Sequence, residues 1–269
     1  MINWEDEGII LKVTAFGETA AVVSIFTEKN GKHAGLVRGA KTPAMRSLLQ
    51  IGNKVKATWR ARLSEHLGTF KLEPIKSIAS NFFDDPLKLL GLTSAVAIVD
   101  QALPDREPAA EVWHGLLALL DTITDYDEYI WLAAYIRWEI GFLGETGFKL
   151  GLDKCVVTGD VEDLSFVSPK SGCAVSNVAG EQYRDKLLPL PSFLTSKGFK
   201  APKEFSEGLQ LTEYFFKRHV FGVYNKPLPS PRQRLFQRVE MLHADCGPPH
   251  HHKINLRRYL KGRFCVDFS

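Results

Sequence analysis

Hydrophobic and polar positions alternate with period two through the first 80 residues and then take up a helical period, which divides the chain. Five runs rich in Val, Ile, Thr and aromatic residues predict strands over 8–14, 20–27, 32–38, 54–63 and 69–78, separated by Gly, Asn and Glu. Five strands in so short a span is the count of an OB-type β-barrel. In the fourth run Val55, Ala57, Trp59 and Ala61 alternate with Lys54, Lys56, Thr58, Arg60 and Arg62. One face of that strand is therefore apolar, with Trp59 in the core, and the other carries cations.

The period changes at Asn81. Asp84-Asp85-Pro86 supplies an N-cap and a proline at the first helical position, ahead of a helix over 87–103. A second helix is predicted over 107–123 and a third over 127–144, the third apolar nearly all round and so the buried centre of a bundle. Arg137 and Glu139 interrupt it. Arg137 reads either as a paired or snorkelling side chain at the bundle edge or as a group that receives a partner's carboxylate. Loops and short strands fill 152–178, and a last helix over 204–224, carrying Leu209, Leu211, Phe215, Phe216 and Phe221, packs back onto the bundle.

The fold class is thus a multidomain α+β protein: a barrel over 1–80, a helical domain over 81–153, a small zinc-ribbon-like element over 154–180, a C-terminal helical part over 181–234 and a tail over 235–269. The ribbon-like element lacks a full cysteine set. Cys155 and Thr158 have the frame of a C-x2-C knuckle with its second thiolate missing, and Cys173 stands alone where a pair is needed. A structural zinc takes four ligands, so no metal and no cofactor are expected there. His243, Cys246, His250, His251, His252 and Cys265 match no standard ligand spacing.

Charge adds a partner class to this outline. The formal net charge of +3 conceals about +5 over 1–80, −9 over 81–153 and +7 over 154–269. Basic ends around an acidic middle suggest polyanion-binding surfaces on a scaffold. The stretch 35–46 is basic, glycine-flanked and free of acids, and its Arg38, Lys41 and Arg46 join Lys56, Arg60 and Arg62 of the fourth strand as the candidate DNA contacts. Lys12 and Lys71 complete the set, and Phe16 and Phe70 are candidates to stack on bases. Six phosphate contacts on a single strand would give a log–log salt slope of about −4.

Nucleophile elbow, P-loop, G-x-G-x-x-G and H-E-x-x-H patterns are absent. Asp84, Asp85, Asp105, Glu107, Asp125 and Asp127 sit at helix starts, where they complement the dipole. A binding protein is therefore favoured over its rivals, a metal-dependent nuclease and an RNA-binding OB-fold protein. The acidic start and the lack of a long apolar run predict a cytoplasmic protein with no membrane partner.

Taken in order, several short segments resemble the bacterial RecO family, the recombination mediators of the RecF pathway. They are Asp6-Glu-Gly-Ile-Ile-Leu, Gly17-Glu-Thr, Gly35-Leu-Val-Arg-Gly-Ala-Lys, Leu49-Gln-Ile-Gly52, Arg137-Trp-Glu-Ile-Gly-Phe-Leu-Gly-Glu-Thr-Gly-Phe ahead of Leu152-Asp-Lys-Cys, and Val167-Ser-Pro-Lys-Ser-Gly. The likeness covers about residues 1–234. It implies an N-terminal OB-fold, a helical middle, a zinc-ribbon-like element and a role that is not enzymatic. That role is to bind single- and double-stranded DNA, anneal complementary strands and, with RecR, load RecA onto strands coated by the single-stranded DNA-binding protein SSB. The resemblance also implies a nucleoid-associated place, no small-molecule substrate, and docking of the acidic SSB tail on the helical region, for which Arg137 is the candidate. Some members hold a four-cysteine zinc site; here Thr158 and Ser176 stand near two of those positions, so the metal is not carried over.

Overall fold

The computed structural model describes residues 2–63, 65–195 and 202–244. In chain order its elements are β1 (Ile2–Phe16), β2 (Ala20–Thr27), β3 (Gly31–Val37), α1 (Pro43–Leu48), β4 (Lys54–Ala61), β5 (Thr69–Lys76), α2 (Pro86–Ala102), α3 (Ala110–Asp125) and α4 (Glu128–Glu145), then β6 (Leu164–Val167), β7 (Ala174–Ser176), α5 (Asn177–Gly180), β8 (Leu188–Pro189), α6 (Lys203–Phe215) and α7 (Ser230–Ala244). Strands β1 to β5 close into a barrel in the order β1-β2-β3-β5-β4.

Closure depends on the length of β1. Its first half pairs antiparallel with β4, from Ile2 opposite Ala61 to Ile9 opposite Lys54, and its second half pairs with β2, ending with Phe16 opposite Ala20. The strand therefore starts six residues before the position that alternation predicts. The run Gly8–Leu11 hides the pattern because all four residues are buried, and a register shift between Ile10 and Lys12 marks a bulge at Leu11 that moves the strand to the opposite phase. Ile10, Val23, Ile25, Val55, Ala57, Trp59 and Phe70 fill the interior, and Met45, Leu48 and Leu49 pack against it from the α1 segment.

Two compact units divide inside α3, one holding Met1–Leu120 with Pro229–Arg232, the other Asp121–Leu228 with Gln233–Ser269. In the first unit α2 starts as its sequence dictates, with the Asp85 carboxylate accepting from the Lys88 N–H at 3.0 Å and Pro86 in the first turn. Gly31 opens β3 with φ +67°, and a Cβ there would lie 2.2 Å from the Glu107 carbonyl oxygen, so the 105–107 backbone lies directly against this turn. Arg106 N–H donates to the Lys32 carbonyl at 2.8 Å across the same junction.

In the second unit α4 is buried without a break from Ile130 to Ile136, as its all-apolar surface requires. Glu139 is fully buried on it and accepts from the Thr212 hydroxyl of α6. The helix expected over 204–224 is not one helix: α6 ends at Phe215, a π turn spans Phe216–Val220, and a 3-10 turn, Gly222–Tyr224, stops at Asn225 in the left-handed region with φ 51°. The small sheet has the order β7-β6-β8. The segment 235–269, which has no counterpart in the sequence resemblance, begins inside α7, where Leu235 and Val239 are fully buried. His243 and Ala244 are described as backbone only, and Cys246, His250, His251, His252 and Cys265 lie outside the described residues.

Candidate nucleic-acid interface

The barrel separates the sequence-predicted cations into two groups with different electrostatics. On the outer face of β1, β4 and β5, antiparallel registers bring Glu5 and Glu7 beside Lys54, Lys56 and Thr58, and put Glu73 opposite Lys56. Lys54 pairs with Glu7 at 2.6 Å, Lys56 with Glu5 at 2.8 Å and Lys71 with Glu73 at 2.9 Å. The hydrogen bond from Lys56 holds the Glu5 carboxyl below its ordinary range, and the bond to Glu5 raises Lys56 in return. Lys71 does the same to Glu73. Lys56 and Lys71, both candidate DNA contacts, are thus members of a mixed-charge ladder.

The second group is exposed and makes no ion pair among the described residues: Arg38, Lys41 and Arg46 between β3 and β4, Arg60 and Arg62 at the end of β4, and Lys12 on β1. Local chemistry fixes the loop that carries the first three. Gly39 adopts φ +66°, Thr42 caps α1 by accepting from the Met45 N–H at 3.4 Å, and Ala40 N–H donates to the Thr19 carbonyl at 2.8 Å. Buried Asn53 staples the other end of α1, donating to the carbonyls of Ser47 and Leu48 at 3.1 Å while its own oxygen accepts from Ile78 N–H at 2.9 Å. Arg46 is therefore carried on an anchored turn. Leu36, Thr69 and Arg60 stand in one row across β3, β5 and β4, and Arg38 follows two positions after Leu36, just past the end of β3.

Aromatic candidates separate as cleanly. Phe16 is 57% exposed, whereas Phe70 is 7% exposed inside the barrel and is not a stacking residue. Trp59 is 1% exposed, in the core where its strand phase puts it.

Comparison with known proteins gives this basic barrel its context. Residues 1–78 match the family described as Recombination protein O N terminal, and residues 84–229 match Recombination protein O C terminal. The DNA repair protein RecO of Rhodospirillum centenum is 43% identical over 248 residues, covering 91% of this chain and 98% of that protein. Its counterpart in Caulobacter vibrioides is 44% identical over 239 residues, covering 88% and 98%, and that of Cereibacter sphaeroides 42% over 238 residues with the same coverage. The chain belongs to the RecO family. Membership makes it a DNA repair and recombination protein and not an enzyme. Among the described residues no three His, Cys, Asp or Glu side chains come together as a metal site, and no helix is long and apolar enough to cross a membrane.

Beside the small β7-β6-β8 sheet lie the free cysteines Cys155 and Cys173. Cys155 is 1% exposed, and its sulfur accepts from the N–H groups of Ser176 at 3.2 Å and Thr158 at 3.5 Å. Thr158, Ser176, Cys155 and Cys173 do not supply a zinc donor set. Burial opposes ionisation of Cys155, but the hydrogen bonds from Ser176 and Thr158 outweigh it and pull the thiol down to about 6. A folded-state value below the unfolded one contributes stability that is complete above pH 9 and lost as pH falls to 6. The difference in unfolding free energy between wild type and Cys155→Ala should therefore grow as pH rises from 6 to 9. Urea titrations at stepped pH measure it, and a flat difference would show that the thiol stays protonated.

Arg137 of α4 is partly buried, and its guanidinium donates to the Phe193 carbonyl. Its Nε is buried without a hydrogen-bond partner. Sequence alone offered a paired edge residue or a carboxylate receiver; a backbone carbonyl 56 positions away could not be read from it.

Proposed function

We propose that the barrel is an OB-fold that binds single- and double-stranded DNA through Arg38, Lys41, Arg46, Arg60, Arg62 and Lys12, and that the protein anneals complementary strands. The observation that carries this reading is the set of exposed, unpaired cations on the barrel of a RecO-family chain, three of them, Arg38, Lys41 and Arg46, in the one segment that joins β3 through α1 to β4. Annealing needs no catalytic group: cations that neutralise two strands lower their repulsion and leave base pairing to complete the reaction. In the cytoplasm, at the nucleoid, this activity would serve RecA loading together with RecR on SSB-coated strands. Arg137 is the proposed seat for the acidic SSB tail, because its partly buried guanidinium has no carboxylate partner among the described residues and a tail carboxylate would supply one.

The test is annealing of complementary labelled oligonucleotides, bare and SSB-coated, by wild type and by a variant with Arg38→Ala, Arg60→Ala and Arg62→Ala. Annealing by the wild type that collapses in the variant is expected. Annealing indifferent to the three arginines would refute the barrel as the DNA site, and cleavage of the DNA on adding Mg2+ would refute the non-enzymatic reading.

A further inference from the structure

The outer face of β1, β2 and β3 has a composition unlike the ion-paired face of β4. Outward positions are Lys12, Thr14 and Phe16 on β1, opposite Ser24, Val22 and Ala20 on β2. The β2–β3 register sets Ala34 opposite Ser24 and Leu36 opposite Val22 and ends at Ala21 with Val37, so Arg38 enters the following turn beside Ala20. Side chains opposite one another in antiparallel strands share a face. Phe16 is thus paired with Ala20, and the turn that carries Arg38 lies on the other side of Ala20, two strand spacings or about 10 Å from β1, with the smallest side chain in the middle. The Ala40 to Thr19 hydrogen bond at 2.8 Å ties the two turns that flank Ala20. From it a groove of about 300 Å3 continues between Lys12 and Lys32, floored by Val22, Ser24 and Ala34, and ends at two carboxylates, Asp100, which accepts from the Ser24 hydroxyl at 3.2 Å, and Asp105, which pairs with Lys32 at 3.2 Å.

We infer that Phe16 and Arg38, on either side of Ala20, form a single-base clamp that makes this end of the barrel selective for single-stranded over duplex DNA. The clamp rests on the proposed DNA-binding role of the barrel and adds its strand preference. An exposed phenyl ring has no water-satisfied role at the rim of a basic groove, whereas the face of an unpaired base covers it, and each such stack is worth about 1–3 kcal/mol. Arg38 holds the adjoining phosphate or lies flat on the same base. In a duplex the base faces are occupied by their neighbours, so Phe16 gains nothing while the surrounding cations still meet phosphates. The exposed Glu18 in the intervening turn and the acidic groove end at Asp100 and Asp105 repel a strand from both ends of this face, which confines the path to Phe16, Ala20, Arg38 and the Lys12 end of the groove.

Equilibrium binding of an oligothymidylate and of a duplex of equal length tests this with Phe16→Ala, Phe16→Tyr and Ala20→Leu in the full chain. Phe16→Ala should weaken single-strand binding about 10-fold, corresponding to the stacking energy above, and change duplex binding less than twofold. Phe16→Tyr should restore it, and Ala20→Leu, which fills the gap, should mimic the loss. An oligonucleotide with abasic sites should bind wild type and Phe16→Ala equally. Equal losses on both DNAs, or none, would overturn the clamp while leaving the barrel reading intact if Arg38→Ala, Lys41→Ala, Arg46→Ala still weakens binding by about two decades. Wild type that binds neither DNA would instead defeat the barrel reading itself, and preference for RNA over DNA of the same sequence would overturn the DNA assignment.

Discussion

Removing Arg38, Lys41 and Arg46 together, each to alanine, is expected to weaken single-strand binding roughly 100-fold at 0.1 M salt. Each neutralised phosphate releases about 0.7 of a counterion from a single strand, so three lost contacts cost about two decades at that concentration. The log–log salt slope should fall from about −4, for the six unpaired cations, to about −2. All three side chains are exposed, and none makes a side-chain hydrogen bond or ion pair among the described residues, so the variant should fold as wild type does. The informative contrast is Lys56→Ala with Lys71→Ala. These two lysines are already neutralised by Glu5 and Glu73, and a phosphate would have to displace a carboxylate at 2.8 or 2.9 Å to reach them. Their loss should change affinity less than twofold. Fluorescence anisotropy across a salt series measures both variants, and the reverse ranking would put the strand on the β1–β4–β5 face.

That contrast also marks where the sequence stops being legible. The alternation in β4 showed that Lys54, Lys56 and Arg60 share the outer face, because period two is a local property. Their neutralisation is not local. Glu5 and Glu7 precede their lysine partners by about 50 positions, and only the β1–β4 register brings them together. The one available signal was Glu5 and Glu7 themselves, two acids two residues apart in a stretch that became strand. Helix α2 was legible through Asp85 and Pro86, and α4 through its unbroken apolar surface, since caps and moments are also short-range features. The bulge at Leu11 and the π turn at Phe216–Val220 were not, because each breaks a period that the flanking residues keep. Around Cys155 the sequence showed only that positions 158 and 176 hold Thr and Ser. It could not show that the N–H groups of Thr158 and Ser176 turn toward the Cys155 sulfur.

The largest stability effect should come from Trp59, the residue on which both outer faces are built. Its indole stacks on Trp4 at 5.9 Å and meets the edge of His33 at 5.4 Å inside the barrel. Its Nε1 donates to the carbonyls of Ala34 on β3 and Leu67 in the β4–β5 loop, both at 3.1 Å. The indole thus joins β4 to the strand that leads to Arg38 and to the loop that follows Arg62. Gly68 shows how closely the loop approaches: with φ +68°, a Cβ there would lie 2.4 Å from the indole Nε1. Trp59→Ala removes the ring and leaves two carbonyls without their donor, and should cost about 4 kcal/mol. Trp59→Phe keeps most of the packing and loses the N–H, for about 2 kcal/mol. Urea unfolding followed by circular dichroism separates the two. Because every unpaired cation lies outside the barrel, folded Trp59→Phe protein should bind single strands within about threefold of wild type, well short of the loss expected when the loop cations are removed. A Trp59→Phe loss as large as that of the loop variant would mean that the indole–Leu67 bond, rather than the charge on Arg62 and Arg38, sets the affinity of this end of the barrel.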